Sequence, residues 1–188
     1  VPGMAEAGAT PYTLEGATSL RDAWRALDEG TVAVVVASMP FKCPAAPYEA
    51  ALLLEAGFRK RGVRPSVDIE IITPEPQPMP VAGPIVGESL RQALAARGVN
   101  YRPTTKVTSI DPGAKQLTFE GGGTARYDLL VYVPVHRSPA VVRESGLAGE
   151  TGWIPVDPRT LETGHPHVYA IGDVAAVKLP NGMMLPKA

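Results

Sequence analysis

The chain has 188 residues, 45% of them hydrophobic, and its formal net charge is -1. This length allows one well-buried core or two small ones, and the balanced charge argues against a nucleic-acid partner. No apolar run reaches the roughly 18 residues that a membrane-spanning helix needs. A single cysteine excludes an internal disulfide and leaves the cellular compartment unassigned.

The first part of the chain predicts a parallel βαβ unit. A short helix is predicted over "SLRDAWRALDEG", with Ser19 as its N-cap and Gly30 as its end. The continuous, valine-rich run 31–37 is typical of a strand that is buried on both faces of a parallel sheet. A helix that ends near Gly62 and a second strand over 67–74 complete the unit.

The next part predicts a helix and then an antiparallel meander. The spacing of apolar residues indicates a helix over 86–98. Three strand patterns follow, "TKVTSI", "KQLTF" and "ARYDLLVYVP", and the turn signals "DPGA" and "EGGG" separate them. We expect the apolar run 129–133 to rejoin the parallel sheet. The predicted fold class is therefore α/β, a Rossmann-like three-layer domain with a parallel sheet and an antiparallel meander insertion.

The loop after the first strand contains the cysteine, within "MPFKCPAAPYEAALLL" (residues 39–54). A dinucleotide-binding turn uses glycines there, so that backbone N–H groups can reach the pyrophosphate. Pro44 and Pro47 remove two such donors, so we do not expect a nicotinamide cofactor at this turn. They hold Cys43 rigidly ahead of a helix N-terminus, whose dipole contributes under about 1 kcal/mol to a thiolate. Activation would also need Lys42 or an oxidised flavin, and an inert, buried cysteine is the alternative.

A second candidate site lies in "TLETGHPHVYAIGD", residues 160–173. The apolar segment 167–173 predicts a strand that places Gly172 and Asp173 at its end. Glycine lets a ligand approach the backbone, and a carboxylate can accept a hydrogen bond from a ribityl hydroxyl. The motif resembles the second FAD-binding motif of the pyridine nucleotide-disulfide oxidoreductase superfamily. An ordinary strand that ends in a Gly-Asp turn is the alternative.

The cysteine loop narrows this resemblance. It is similar to the loop of sulfide:quinone oxidoreductases and flavocytochrome c sulfide dehydrogenases in which a cysteine precedes a "P-x-x-P-Y-E" helix start, and "VPVHRSPAVVRESGL" and "MMLPKA" also look like this family. The resemblance implies that Cys43 lies beside the flavin and handles sulfide sulfur, and that FAD contacts Gly172, Asp173 and Lys187. Sulfide or another small reductant would donate electrons, and either a quinone or a cytochrome would accept them. The alternatives are an NADH dehydrogenase-like flavoprotein and a non-catalytic nucleotide-binding module.

The resemblance also implies how the chain is organised. Residues 1–150 would form a central, NAD-type nucleotide-binding domain, and 151–188 a returning segment of the FAD-binding domain. The first FAD motif, "G-x-G-x-x-G", has no counterpart in this sequence. We therefore expect an internal fragment of a longer enzyme, inactive alone, whose second redox cysteine follows Ala188. We expect a compact domain over 14–142, with 153–188 displaced, poorly ordered or paired with another copy in a homodimer.

The remaining polar features have ordinary structural interpretations. His165 and His167 are expected to be turn residues, and no metal site is predicted. Glu75 follows the second strand, where an acid could bind a ribose hydroxyl, but without the glycines we expect a solvated loop carboxylate. His136 and Arg137 either face a ligand crevice or lie on a surface turn.

Overall fold

The computed structural model describes residues 1–178 and 184–186. The chain divides into two compact units, which we call the sheet unit and the tail unit. The sheet unit contains Val1–Met39 and Cys43–Val135, and the tail unit contains Pro40–Lys42 and the chain from His136 onward. None of the helices in the described part is both long and apolar enough to cross a lipid bilayer.

Four parallel strands form the central sheet of the sheet unit. In pairing order they are β3 (Val99–Arg102), β2 (Val67–Ile72), β1 (Gly30–Val36) and β7 (Leu129–Val133). In the centre of the sheet, Val34 of β1 lies opposite Ile71 on one side and Val131 on the other. The predicted parallel sheet is therefore confirmed, with β3 as an additional strand.

This sheet is the middle one of three layers. Side chains alternate between the two faces of a strand, so Val34 contacts one core and Val35 the other. The helices α3 (Ala46–Arg61) and α4 (Pro84–Ala95) close the first core. The second core is closed by a short helix, α1 (Met4–Ala7), and by the antiparallel meander. The meander consists of β4 (Val107–Asp111), β5 (Gln116–Phe119) and β6 (Thr124–Arg126). The predicted three-layer α/β fold with a meander insertion is confirmed.

The helix that precedes β1 starts earlier than the sequence predicts. Helix α2 spans Leu14–Ala26, and the hydroxyl of its N-cap Thr13 accepts a hydrogen bond from the Gly16 N–H at 3.0 Å. The predicted N-cap, Ser19, lies inside the helix and was wrong, because Thr13 offers the same capping chemistry at an earlier position. Ala9 forms a parallel bridge to β7, so the compact unit begins before residue 14.

The pattern over 125–134 contains two strands, β6 and β7, and the prediction that 129–133 rejoins the parallel sheet is confirmed by β7. Asp128 interrupts the pattern, and its Oδ2 accepts a hydrogen bond from the Thr31 N–H at 2.8 Å. Gly30 makes this approach possible, because a Cβ at that position would lie 2.3 Å from the same oxygen. The interruption lets the chain leave the antiparallel meander and enter the parallel sheet.

The tail unit has its own small sheet and core. Strand β9 (Ala175–Lys178) pairs in parallel with β8 (Ile154–Val156) and antiparallel with β10 (Met184–Pro186). Helix α5 (Ala140–Glu144) packs against this sheet in a core that contains Val142, Ile154, Val156, Ala170 and Ala175. We expected residues 153–188 to be displaced, poorly ordered or paired with another copy of the chain. The described residues instead form a sheet within their own chain, in which β9 is paired on both sides.

The predicted strand over 167–173 is also wrong. Tyr169 forms a single antiparallel bridge with Glu162, and Gly172–Val174 is a 3-10 turn that precedes β9. A strand requires a run of paired residues, and within the described residues this segment has that one bridge. Within this segment Ala170 is buried, whereas Tyr169 and Ile171 on either side of it are 58% and 70% exposed.

Candidate active site

Cys43 lies in an unusual backbone conformation in the loop between β1 and α3. Its φ is 54°, in the left-handed region that favours glycine, although the next residue is Pro44. Such a conformation costs on the order of 1–3 kcal/mol and persists where the surroundings hold it. The Cys43 carbonyl accepts a hydrogen bond from the Ala46 N–H at 2.9 Å, which closes the turn into α3. Because the residue is exposed, the alternative of a buried cysteine is wrong.

Cys43 lines a shallow apolar cleft of the sheet unit. The cleft has a volume of about 320 Å³ and is lined by Pro11, Tyr12, Cys43, Ala46, Glu49, Ala50 and Leu53. Burial raises the pKa of Tyr12, and the negative charge that Cys43 carries as a thiolate raises it further. The phenol therefore stays protonated at neutral pH. A thiol at the wall of an apolar cleft is accessible to a small sulfur compound.

Glu75, in the loop after β2, lies in a different environment from the solvated one that the sequence predicts. Glu75 is 1% exposed, and its carboxylate accepts hydrogen bonds from the Tyr48 hydroxyl and, at 3.1 Å, from Thr73 Oγ1. The predicted solvated loop carboxylate was wrong, because these hydroxyl donors offset the loss of water. Burial raises the pKa of Glu75, while the two hydrogen bonds oppose the increase. Tyr48 lies 27 residues away in the chain, so only the fold reveals this contact.

Gly172 and Asp173 form the exposed turn before β9 in the tail unit. Gly172 has a φ of 66°, and a Cβ built there would meet no atom within 4 Å. The Asp173 side chain is 55% exposed. An open glycine beside an accessible carboxylate fits a hydroxyl-bearing ligand, as the ribityl chain of FAD would require. Lys187, the third residue expected at this site, lies outside the described residues.

Lys42 contacts this turn, although no local pattern in the sequence predicts that interaction. The Lys42 ammonium lies 3.6 Å from Asp173 Oδ2 and 4.7 Å from the centre of the Trp153 ring. The Lys42 backbone N–H donates to His136 Nδ1 at 3.0 Å. Burial, and then the Lys42 charge, lower the pKa of His136, so its ring is neutral at pH 7 and can accept this bond. His136 is thus half-buried against the Lys42 backbone, whereas Arg137 is exposed.

The two remaining histidines lie in an exposed turn of the tail unit. The His165 N–H donates to Thr163 Oγ1 at 3.1 Å, and the His167 N–H donates to Glu162 Oε1 at 2.8 Å. Within residues 1–178 and 184–186, no three side chains of the metal-binding types converge. These backbone contacts are those of turn residues.

Comparison with known proteins gives relatives over most of the chain. Sulfide:quinone oxidoreductase from mouse mitochondria is 30% identical over 165 residues, which cover 80% of this chain and 35% of the relative. Coenzyme A disulfide reductase from Staphylococcus aureus is 29% identical over 92 residues, 48% of this chain and 20% of the relative. The chain spans roughly a third of the length of the sulfide:quinone oxidoreductases that it matches.

Solved structures and the family comparison agree with these relatives. The sulfide:quinone oxidoreductase from Aquifex aeolicus has the same fold, with a TM-score of 0.79 and 23% identity over 100% of this chain and 47% of that one. The model of the family described as pyridine nucleotide-disulphide oxidoreductase matches residues 30–187. The resemblance inferred from the cysteine loop and the Gly-Asp motif is thereby confirmed: the chain belongs to the pyridine nucleotide-disulphide oxidoreductase family.

Proposed function

We propose that the protein to which this chain belongs is an FAD-dependent oxidoreductase that oxidises sulfide at Cys43. The observation that carries the proposal is the exposed thiol, held in a left-handed conformation on the wall of an apolar cleft. Strained backbone at an accessible nucleophile is a feature that functional sites retain. The sulfide:quinone oxidoreductases among the relatives support the same reaction.

The proposed reaction converts Cys43 to a persulfide. The Cys43 thiolate and hydrosulfide form a sulfur–sulfur bond while the S–H bond of hydrosulfide breaks, which gives the persulfide anion and releases one proton and two electrons. FAD, when bound, supplies the acceptor for that electron pair. The cleft that Cys43 lines is mainly apolar, and the protonated Tyr12 adds no competing negative charge beside the sulfur. Gly172 and Asp173 would hold the hydroxyl-bearing part of the flavin, and Lys187 is proposed as a third contact.

We assign the chain to two domains of the longer enzyme on the same basis. Residues 1–150 would belong to the central nucleotide-binding domain of NAD type, and 151–188 to the FAD-binding domain. The self-contained three-layer core of the sheet unit supports the first assignment. The exposed Gly172–Asp173 turn supports the second. A quinone or a cytochrome would then take the electrons from the flavin.

The alternative is a flavoprotein that reacts with NADH, which is supported by a relative named nitric oxide reductase FlRd-NAD(+) reductase, from Aeromonas hydrophila. Two features of the sheet unit weigh against it. Pro44 removes an N–H group from the turn after β1, and Pro47 removes one from the first turn of α3. Glu75, at the position where an acid could bind ribose, is buried and already hydrogen-bonded to Tyr48 and Thr73.

A stopped-flow experiment on the full-length protein with FAD bound tests the proposal. Anaerobic sulfide should bleach the flavin absorbance of the wild type, and Cys43→Ser should abolish this bleaching while FAD stays bound. Serine is the matched control because it preserves size and hydrogen bonding but cannot form a persulfide. Bleaching of the wild type by NADH and not by sulfide would establish the alternative. Unchanged sulfide bleaching in Cys43→Ser would show that the cysteine is structural.

A homodimer through residues 153–188 remains a proposal of its own. Tyr169 and Ile171 are 58% and 70% exposed in the tail unit, and a second copy would cover them. Sedimentation equilibrium of the wild type and of Ile171→Ser measures this association. A weaker dimer in the variant supports the proposal, and a wild-type monomer at every concentration contradicts it.

A further inference from the structure

The side chain of Lys42 is held between two other residues of the tail unit. Its ammonium lies 3.6 Å from Asp173 Oδ2 and 4.7 Å from the centre of the Trp153 ring. The Lys42 side chain is 17% exposed, whereas the Asp173 side chain is 55% exposed. A lysine whose stem is packed and whose charge faces one carboxylate restricts the directions in which that carboxylate points.

The backbone of Lys42 is fixed as well. Its N–H donates to His136 Nδ1 at 3.0 Å, and the Trp153 ring beneath its ammonium is 5% exposed. Both ends of the residue are therefore anchored in the tail unit. Since these contacts already restrict Lys42, the ion pair with Asp173 loses less side-chain entropy than a pair between two free surface chains.

We propose that Lys42 is a positioning residue, which orients the Asp173 carboxylate for the flavin. The inference rests on the proposed function, because it requires that the full-length protein bind FAD through Asp173. A carboxylate has two acceptor oxygens. With Oδ2 facing Lys42, Oδ1 is left to accept a hydrogen bond from a ligand hydroxyl. The carboxylate makes the contact, and Lys42 acts through it.

The test is a double-mutant cycle on FAD affinity, measured by titrating FAD into the full-length apoprotein and following flavin fluorescence. Lys42→Met keeps a long apolar stem over Trp153 and removes the charge. We expect it to weaken FAD binding by up to about fivefold, as the loss of one partly exposed ion pair does. Asp173→Asn should weaken binding more. The double variant should bind like Asp173→Asn alone, and Lys42→Arg should retain most of the affinity.

Lys106→Met is the matched control, because Lys106 forms an exposed ion pair with Glu120 in the sheet unit. It should leave FAD affinity unchanged. Wild-type affinity in a folded Lys42→Met protein would overturn the positioning role. A loss of affinity that is equally large in the Asp173→Asn background would also overturn it, because Lys42 would then act independently of the carboxylate. A wild-type protein that binds no FAD would instead contradict the proposed function.

Discussion

In the sheet unit, β1 is covered on both faces by packed layers, and the valines of that strand are at most 1% exposed. In the tail unit, helix α5 and the strands β8 and β9 contribute to a small core, and Tyr169 and Ile171 remain largely exposed. Strand β1 and the segment 167–173 are both rich in apolar residues. Burial within the described chain accounts for the apolar residues of β1. In 167–173 it accounts for Ala170 but not for the exposed Tyr169 and Ile171. Substitutions in the two units should therefore have different consequences.

The largest effect on stability is expected in the helical layer of the sheet unit. Phe58 of α3 is 0% exposed and meets the Trp24 ring edge-on, with 6.0 Å between the ring centres. Phe58→Ala should lower the free energy of unfolding by about 3–5 kcal/mol, since it removes a buried aromatic ring and leaves a cavity. Urea denaturation measures the change. Leu53→Ala on the same helix, where the side chain is 65% exposed, is the control and should cost under about 0.5 kcal/mol. Equal costs would contradict the assigned core.

A smaller difference is expected between two glycines with positive φ. Gly30 of the sheet unit has a φ of 116° and closely approaches Asp128, whereas Gly172 of the tail unit has a φ of 66° and open space around it. Gly30→Ala should cost about 2–4 kcal/mol, from backbone strain and from the displacement of Asp128. Gly172→Ala should cost about 1 kcal/mol, from strain alone. Denaturation of both variants in urea decides whether the approach to Asp128 is as tight as described.

The two units should also respond oppositely to acid. Burial raises the pKa of Glu75 in the sheet unit above its ordinary value of 4.5. The folded protein therefore binds more protons than the unfolded chain between the two values, and stability falls as pH rises through that window. Glu75→Gln should flatten this decline in a series of thermal melts from pH 4 upward. A decline of unchanged slope in the variant would show that another group titrates there.

Asp157 of the tail unit has the opposite shift. The backbone N–H groups of Arg159 and Thr160 donate to its Oδ1 at 2.8 and 2.9 Å and lower its pKa below 3.8. The contribution of Asp157 to the free energy of unfolding is therefore present above the pKa of the unfolded chain, and it is lost as pH falls through the lower pKa of the folded protein. Asp157→Asn keeps the acceptor oxygen but removes the charge, so acid melts below pH 4 should lose this dependence. A wild-type melt that is flat in this range would contradict the assignment.

The parts of the fold that the sequence predicts are those with a local cause. The valines of β1 and the αL glycine at Gly62 after α3 determine their own conformation, and both agree with the structure. The start of α2 was misplaced because Thr13 and Ser19 are chemically equivalent caps, and only packing selects between them. The strand predicted at 167–173 failed because its apolar residues needed neighbouring strands that no local pattern reveals.

The candidate site also contains residues that a local sequence pattern predicts and residues that only long-range contacts place. Cys43 and the Gly172–Asp173 turn are predicted as candidates because residue types within one short motif suggest the chemistry. The burial of Glu75 depends on Tyr48, and the orientation of Asp173 depends on Lys42, which lies 131 positions earlier in the chain. Contacts of such long range leave no periodic or compositional signal in a single sequence. The positioning residues therefore emerge only from the three-dimensional structure.

The smallest effect on stability is expected at the exposed apolar residues of the tail unit. Ile171 is 70% exposed in the single chain, so at concentrations too low for the proposed homodimer Ile171→Ser should change the free energy of unfolding by under about 0.5 kcal/mol. Its neighbour Ala170 is 6% exposed, and Ala170→Ser would bury a hydroxyl in the small core and should cost about 1–3 kcal/mol. Urea denaturation of the two variants compares adjacent positions with opposite burial. If Ile171→Ser proves the more destabilising of the two, Ile171 is covered in solution, and the contrast between the sheet unit and the tail unit fails at that position.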